Sequence, residues 1–429
     1  MTRFRHKWIV TTVFLLLFSE AVIVNCKDCS SQSCRTSKAT SSIKWRLDYG
    51  KVFRLLAFIT LILAWYWGQE HNRPDWKSDI QGLYPNAKIS AINGSEALFT
   101  MANNGAEYYV SVATDNSYGG PLTLASIITK EGKIKTVELL NHSDTPAYIH
   151  KLLNAGYLRQ FQRKPVDYLP VSGRNWDAVS GATLSSNAIM HANTRASHTI
   201  AKLRFSLSPK PLQKEIDLTL NHVLIALLIV LSVINIWVGS KKLKLTYVLG
   251  SIIVIGFMTN QLLNVANFSG LLLGFVPALS ENLGFWILFG SVFVAVILLG
   301  RNIYCGHICP FHAIQFLLQK IGNLNFPLLP IVLKYGRYIP KIGLWAALMI
   351  GLVTVNPSAG AYEPFSMIFS LQGDGIQWFI MPAVIVGCFF IPDMFCRFFC
   401  PAGEMLTLLV NLRNNLVYQI KQVAKRKET

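Results

Sequence analysis

The residues best suited to chemistry in this chain are its cysteines. Two pairs share one pattern, Tyr304-Cys305-Gly306-His307-Ile308-Cys309-Pro310 and Phe395-Cys396-Arg397-Phe398-Phe399-Cys400-Pro401. On a helix, positions i and i+4 lie on one face, so each pair can offer two thiolates to one centre. A proline after the second cysteine suits the first position of a new helix, which needs no N–H donor. That helix N-terminus, with Arg397 nearby, would favour thiolate charge. Four thiolates suit an iron–sulfur cluster or structural zinc, and spacing alone does not separate them. A dithiol relay is disfavoured by the rarity of persistent disulfides in the cytoplasm, and four unligated thiols would make the repeated pattern a coincidence. The setting, on membrane helices beside an apparent redox domain, favours iron and sulfur. The other cysteines carry less. Cys388 lies inside an apolar segment and reads as a small buried residue. Cys26, Cys29 and Cys34 could pair or help ligate a cluster, but no histidine follows to make haem attachment plausible. His222, opening another apolar segment, could be a haem ligand but is more simply a hydrogen-bonded structural residue.

The elements that must position these groups are membrane helices. The chain has 429 residues, of which 52% are hydrophobic and 14% charged, beyond what a soluble core of this size needs. Spanning a bilayer takes about 20 mostly apolar residues. Seven stretches approach this: Trp8–Val24, Val52–Gly68, Leu218–Val238, Leu245–Val265, Leu283–Gly300, Ile342–Val355 and Gln377–Ile391. The formal charge of +18 does not point to nucleic acid. Residues 69–200 hold 12 basic and 11 acidic side chains, leaving 28 basic against 11 acidic for the apolar remainder. Lys241, Lys242 and Lys244 in one connection, and Arg301, Lys320, Lys334, Arg337 and Lys341 in another, mark the cytoplasmic side by the positive-inside rule. This places both cysteine pairs on the cytoplasmic side. The N-terminal segment fits poorly, because Arg3, Arg5 and Lys7 precede it while Lys38, Lys44 and Arg46 follow it, so the orientation of residues 1–51 stays open. Trp286 to Pro310 and Trp378 to Pro401 repeat the same run of Trp, apolar helix, aromatic residue and Cys-x-x-x-Cys-Pro. Equivalent helices would then deliver equivalent pairs to one face.

Between the second and third stretches, residues 75–206 have balanced charge and alternating runs such as Tyr108-Tyr109-Val110-Ser111-Val112. This predicts a water-exposed α+β domain outside the cytoplasm, with a hairpin at Glu131-Gly132 and helices over 147–155 and 186–203. Its informative run is Asp177-Ala178-Val179-Ser180-Gly181-Ala182-Thr183-Leu184-Ser185-Ser186. Gly181 and Ala182 leave room for a phosphate, and Thr183 and Ser185 offer hydroxyls near a helix start. Alone, the run would also pass for a Ser/Gly/Thr-rich helix cap.

That run resembles the Asp-x-x-Ser-Gly-Ala-Thr signature of FMN-binding domains, and Ser117-Tyr118-Gly119-Gly120-Pro121 and Asn141-His142-Ser143-Asp144-Thr145-Pro146 also match the family's pattern, with Asp144 in place of the usual Glu. The cysteine runs resemble membrane polyferredoxin-like proteins, although His312 replaces the usual Gly that Cys400-Pro401-Ala402-Gly403 keeps. Together the halves resemble the NosR/NirI/PceC group of membrane flavoproteins over residues 75–415. Within that group the expected likeness is to the shorter, PceC-like members, which lack the soluble ferredoxin domain of NosR.

The resemblance implies FMN joined through its phosphate to the Thr183 hydroxyl by an ApbE-like flavin transferase that reads Asp177, with Ser180, Gly181, Ala182 and Ser185 around it. It also implies an iron–sulfur cluster, expected as 4Fe–4S, on Cys305, Cys309, Cys396 and Cys400. The expected architecture is a multi-pass helical protein of the cytoplasmic (inner) membrane, with six to seven spans over residues 1–68 and 215–429 and an inserted extracytoplasmic FMN domain at 75–206. The expected role is electron transfer between a quinol or cytoplasmic donor and an extracytoplasmic redox partner protein, with no catalytic acid, base or nucleophile and no nucleic acid. The alternative is a redox sensor or maturation factor for a partner metalloenzyme.

Overall fold

The structure is a computed structural model that describes residues 49–428 apart from 93–94, 118, 145, 171–175, 180–181, 213–217, 281, 323–325 and 371–376. The Trp8–Val24 stretch and Cys26, Cys29 and Cys34 lie outside the described residues.

The sheet-bearing part begins after helix α1 (Tyr49–His71) and the short α2 (Trp76–Leu83). Strands β1 (Lys88–Ala91), β2 (Leu98–Asn103), β3 (Ala106–Asn116), β4 (Pro121–Thr129) and β5 (Ile134–His142) form an antiparallel meander in sequence order. The β4–β5 hairpin turns at Gly132, whose φ of +74° is the left-handed conformation that favours glycine. Strand β4 is buried on both faces. Leu122, Leu124 and Ile128 join one core, while Ala125 and Ile127 join another on the opposite face, the period-2 alternation of a strand. Helices α3 (Pro146–Asn154) and α4 (Thr183–Phe205) help close the first core. Ala188, Ala192, Ala196 and Ala201 keep α4 slim where it is buried, and its fully buried Asn193 accepts a hydrogen bond from Ser126 of β4 at 2.7 Å.

The helical part comprises α5 (Leu220–Val238), α6 (Lys241–Ser251) running into a π-turn (Ile252–Met258), α7 (Val265–Leu273), α8 (Leu283–Leu299), a second π-turn (Tyr304–Ile308), α9 (Pro310–Gly322), α10 (Pro330–Gly336), α11 (Ile339–Thr354), α12 (Phe365–Ser370), α13 (Gln377–Phe390), α14 (Met394–Phe398) and α15 (Pro401–Glu428). Among the described residues, Val52–His71 and Leu220–Val238 are long and apolar enough to cross a membrane, and Leu283–Leu299 and Trp378–Phe390 are shorter apolar helices. The expected Leu245–Val265 span is divided. Its helix stops at Met258, and a non-helical stretch runs to Asn264, which caps α7 by exchanging side-chain bonds with Asn267. Large apolar side chains such as Phe53, Leu63 and Phe379 point outward from this half, an arrangement that needs an apolar surrounding. Gly68 brings α1 onto α11, where a Cβ would lie 2.1 Å from the Leu352 carbonyl oxygen.

Two non-helical stretches of this part, one after Met258 within the expected Leu245–Val265 span and one around Ser358–Glu363, are not surface loops. In the first, Asn260 Nδ2 donates to the Tyr148 hydroxyl of α3, and three residues later the Leu263 N–H donates to the Tyr304 hydroxyl at 2.9 Å. In the second, Ser358 Oγ donates to the Gly119 carbonyl at 3.1 Å, and four residues later the Tyr362 hydroxyl donates to the Phe399 carbonyl at 2.6 Å. Each thus runs from the sheet domain to the cysteine motifs. Such segments must satisfy their own backbone groups, and the buried Glu363 does this for its neighbour, with Oε1 accepting the Val265 N–H at 2.9 Å.

Candidate functional site

Thr183 is the first residue of α4, with Ala182 at its N-cap, and its side chain is exposed. The loop before it is stitched to the helix it precedes. Ser186 Oγ donates to the Ala182 carbonyl at 2.9 Å and accepts the Val179 N–H at 3.0 Å. Tyr157 donates to the Ser186 carbonyl at 2.7 Å and accepts from Trp176 Nε1 at 2.7 Å. Asp177 is exposed, and its N–H reaches Gln160 Oε1 at 3.2 Å. Ser180 and Gly181 lie outside the described residues.

Ser185 does not face outward beside Thr183. Its hydroxyl donates to Asp144 Oδ2 at 2.5 Å, the same carboxylate that accepts from Ser117 Oγ and from the Gly119 N–H, the latter at 2.7 Å. Asp144 therefore ties together all three runs that resemble the FMN-binding pattern. Burial pushes its carboxyl pKa above the ordinary value, against the opposing pull of these three donors. Of the hydroxyls at the start of α4, those of Ser185 and Ser186 are buried and committed, whereas that of Thr183 is exposed. An exposed hydroxyl on the first turn of a 23-residue helix fits a phosphate ester, because N-terminal N–H groups and the helix dipole favour an anion there.

Cys305, Cys309, Cys396 and Cys400 all line one cavity of about 240 Å³, together with Arg397, Tyr304 and Gly403. All four are free thiols. The expected i, i+4 helical presentation is replaced by a wider turn. Cys305 lies in the π-turn, Cys309 leaves it in extended conformation, and the Cys309 N–H donates to the Tyr304 carbonyl five residues back at 2.9 Å. The second motif repeats this bond, from the Cys400 N–H to the Phe395 carbonyl at 2.9 Å. The sequence repeat is thus also a repeat of backbone geometry. Pro310 and Pro401 then open α9 and α15.

The sulfurs are surrounded by donors. Gln315 Nε2 donates to Cys396 Sγ at 2.9 Å and the Gly403 N–H to Cys400 Sγ at 3.3 Å. Asn302 Oδ1 fixes the turn by accepting the Cys305 N–H at 3.1 Å. A Cβ on Gly403 would touch the sulfurs of Cys400 and Cys305, at 3.5 and 3.7 Å, so glycine keeps the space between them open. Four cysteines lining one cavity fit an iron–sulfur cluster, which is held by four thiolates.

Asn302 and Gln315 are the supporting residues that sequence reasoning missed. Gln315, a fully buried amide in an apolar helix, was the available signal. Its Oε1 also accepts from the Cys388 thiol at 3.3 Å and the Phe395 N–H at 3.0 Å, so Cys388 is a buried packing partner. His222 caps α5 by accepting the Thr219 N–H at 3.1 Å, the structural reading.

Comparison with known proteins agrees with both sites. Residues 117–198 match the FMN-binding domain family, and residues 282–328 and 378–416 match the 4Fe-4S binding domain family. Regulatory protein NosR of Pseudomonas aeruginosa is 30% identical over 192 residues, which is 40% of this chain and 26% of the relative. Protein NirI of Paracoccus denitrificans is 26% identical over 188 residues, 40% of this chain and 27% of the relative. A component of the proton-translocating ferredoxin:NAD(+) oxidoreductase complex of Clostridium ljungdahlii is 28% identical over 108 residues, 24% of this chain and 58% of the relative. Family and site together define a protein that joins an FMN-binding domain to an iron–sulfur domain. Within that class its matched region is similar to NosR and NirI, and it spans about a quarter of the length of those curated relatives.

Proposed function

We propose that the chain carries electrons across the cytoplasmic membrane, between a quinol or cytoplasmic donor and an extracytoplasmic redox protein. It does so through a 4Fe–4S cluster on Cys305, Cys309, Cys396 and Cys400 and FMN esterified to Thr183. The helical half is the multi-pass membrane domain, its basic connections face the cytoplasm, and residues 75–206 form the outer domain. The observation that supports this reading is the pair of segments joining the sheet domain to the cysteine motifs. From the bond at Asn260 to that at Leu263 is at most about 11 Å of extended chain. From Ser358 to Tyr362 is at most about 14 Å. The cysteine cavity and the FMN domain are therefore neighbours linked by packed protein.

When bound, the cluster supplies single-electron steps and FMN exchanges electrons singly or in pairs. The chain's own residues hold, insulate and tune. Donors to the sulfurs offset thiolate charge, Arg397 adds a positive charge to the cavity wall, and buried Phe311 and Phe365 limit water. In the outer domain, Asp144 fixes the loops around Thr183, and an ApbE-like transferase attaches the flavin at that exposed hydroxyl. A covalent link retains FMN in a compartment without an FMN supply.

Expression with and without a flavin transferase tests the reading. The expected product shows a fluorescent band on a denaturing gel that is lost in Thr183→Ala, and contains iron and sulfide in place of zinc. Fluorescence surviving in Thr183→Ala would reject the attachment site, and zinc in the cavity would remove the inner electron station. The printed name of the NosR relatives, a regulatory protein, favours a sensor as second reading. A redox-dependent change in partner binding without flavin turnover would select it.

A further inference from the structure

Glu363 is a carboxylate held inside the helical half. It is 5% exposed and lies between α11 and α12, on one of the two stretches that run from the sheet domain to the cysteine motifs. Its neighbours on both sides reach the cysteine cavity. Phe365, two residues on, lines that cavity, and so does Leu263, two residues before the Val265 whose N–H the carboxylate accepts. Two residues of chain span at most about 7 Å. Tyr362, the residue before it, donates to the carbonyl of Phe399, next to Cys400. Glu363 therefore stands beside the cavity wall, with no printed hydrogen bond of its own to a cysteine sulfur.

Helix capping does not account for the charge. Oε1 accepts the Val265 N–H at 2.9 Å at the first residue of α7, and a neutral amide would accept it as well. Asn264 is such an amide, capping the same helix from its own chain. Oε2 is buried without a hydrogen-bond partner, and among the described residues no Lys, Arg or His forms an ion pair with this carboxylate. Buried carboxylates are ordinarily paired or neutral. The titratable groups facing Glu363 are Tyr362 on its own segment and the Cys400 thiol before α15. Helix α7 presents no charged residue to it, and the cavity wall adds Arg397 and Glu404. Because the proton can reside on Oε2, Glu363 can change its charge while the bond to Val265 stays in place. Negative charge arriving at the cysteines is poorly screened across so short a stretch of packed protein, and it favours the protonated carboxyl.

We propose that Glu363 makes electron transfer through this protein proton-coupled. As one electron from the quinol or cytoplasmic donor reaches the cysteine site, the Glu363 carboxylate takes one proton from water and becomes a neutral carboxyl. When that electron passes on toward the flavin, the O–H bond breaks and the proton returns to water. The inference rests on the electron-transfer reading above and adds the proton to it.

The test uses the full chain, loaded with iron and sulfide, and follows the midpoint potential of the cysteine site by spectroscopic redox titration at successive pH values. The wild-type potential is expected to fall as pH rises, with a slope approaching about 59 mV per pH unit for one proton per electron. The reduced-minus-oxidised infrared spectrum should gain a protonated-carboxyl band. Glu363→Gln keeps an acceptor for the Val265 N–H and should flatten the slope and abolish the band, whereas Glu404→Gln should keep both. A wild-type potential independent of pH would overturn the proposal without reference to any variant. So would a slope and band that persist in Glu363→Gln, or that disappear in Glu404→Gln instead. Iron, sulfide and covalent flavin contents of the same samples report on the underlying reading. A loaded protein with a flat potential rejects the proton alone, and a protein that holds zinc rejects both.

Discussion

The two candidate redox sites hold their groups in opposite ways. At the flavin site the attachment atom is exposed, and the residues that organise it, Asp144, Ser117 and Ser185, are buried behind it. At the cysteine site the ligands themselves line an internal cavity and belong to the same core as the helices that carry them. An exposed handle can be loaded after folding by an enzyme from outside. An enclosed cage is a part of the fold, so filling it and folding are coupled. The contrast predicts that ligand loss at the cysteine site spreads into structure, while loss of the Thr183 hydroxyl does not.

The largest expected effect is therefore at the cage. Cys400→Ser should lower iron content by more than the roughly 10–100-fold penalty typical of a supporting residue, and should lower the melting temperature of the helical half. Thr183→Ala should remove covalent flavin entirely yet shift stability by less than about 0.5 kcal/mol, the usual range for an exposed position. Iron assay, gel fluorescence and calorimetry on the two variants check the contrast. Equal destabilisation by both would break it.

Behind the flavin site, Asp144→Ala should be the most damaging change in the outer domain. It strands the Ser117 and Ser185 hydroxyls and the Gly119 N–H, at about 3 kcal/mol or more when each buried unpaired group costs about 1–3 kcal/mol. Chemical denaturation followed by tryptophan fluorescence measures it, and flavin loading should fall in parallel. At the cage, Gln315→Leu should cost less, about 1–2 kcal/mol, since the side chain keeps its volume while the bonds to Cys396 and the Phe395 N–H are lost. Its distinctive readout is a shift in the cluster's reduction potential, because hydrogen bonds to ligand sulfurs help set it. An unchanged potential would make Gln315 a packing residue only.

Much of this was legible in the sequence, because its signals are local. The alternation of Lys133 to Leu139 marks the start of β5, and the twice-written Cys-x-x-x-Cys-Pro marks two equivalent turns. Two kinds of feature were not. The π-turn at Tyr304–Ile308 depends on a backbone bond five residues back, and no residue type announces it. The course of Thr259–Asn264 and of the chain around Ser358–Glu363, from the sheet domain to the cysteine motifs, depends on partners far along the chain such as Tyr148 and Phe399. Asn260-Gln261 lies inside the stretch expected to span as Leu245–Val265, and neither residue announces that the helix stops at Met258 or that the chain turns toward a cavity.

The smallest effect is a pH dependence that separates the outer domain from the cage. The Asp144 carboxyl is raised above 3.8 by burial. Between 3.8 and that raised value the native state holds a proton that the unfolded chain has released, so the native state binds more protons there. Stability must then fall as pH rises through this window, opposite to the usual behaviour of a paired carboxylate. The three donors limit the fall, since they favour the ionised form. Asp144→Asn has no titrating group at this position, so the wild-type-minus-variant difference in unfolding free energy should slope downward from pH 3.8 and level off above the raised value. A difference that is flat or rises across the window would show that the donors outweigh burial. Asp144 would then be an ordinary ionised anchor, stabilised by the same bonds that hold Thr183 in place.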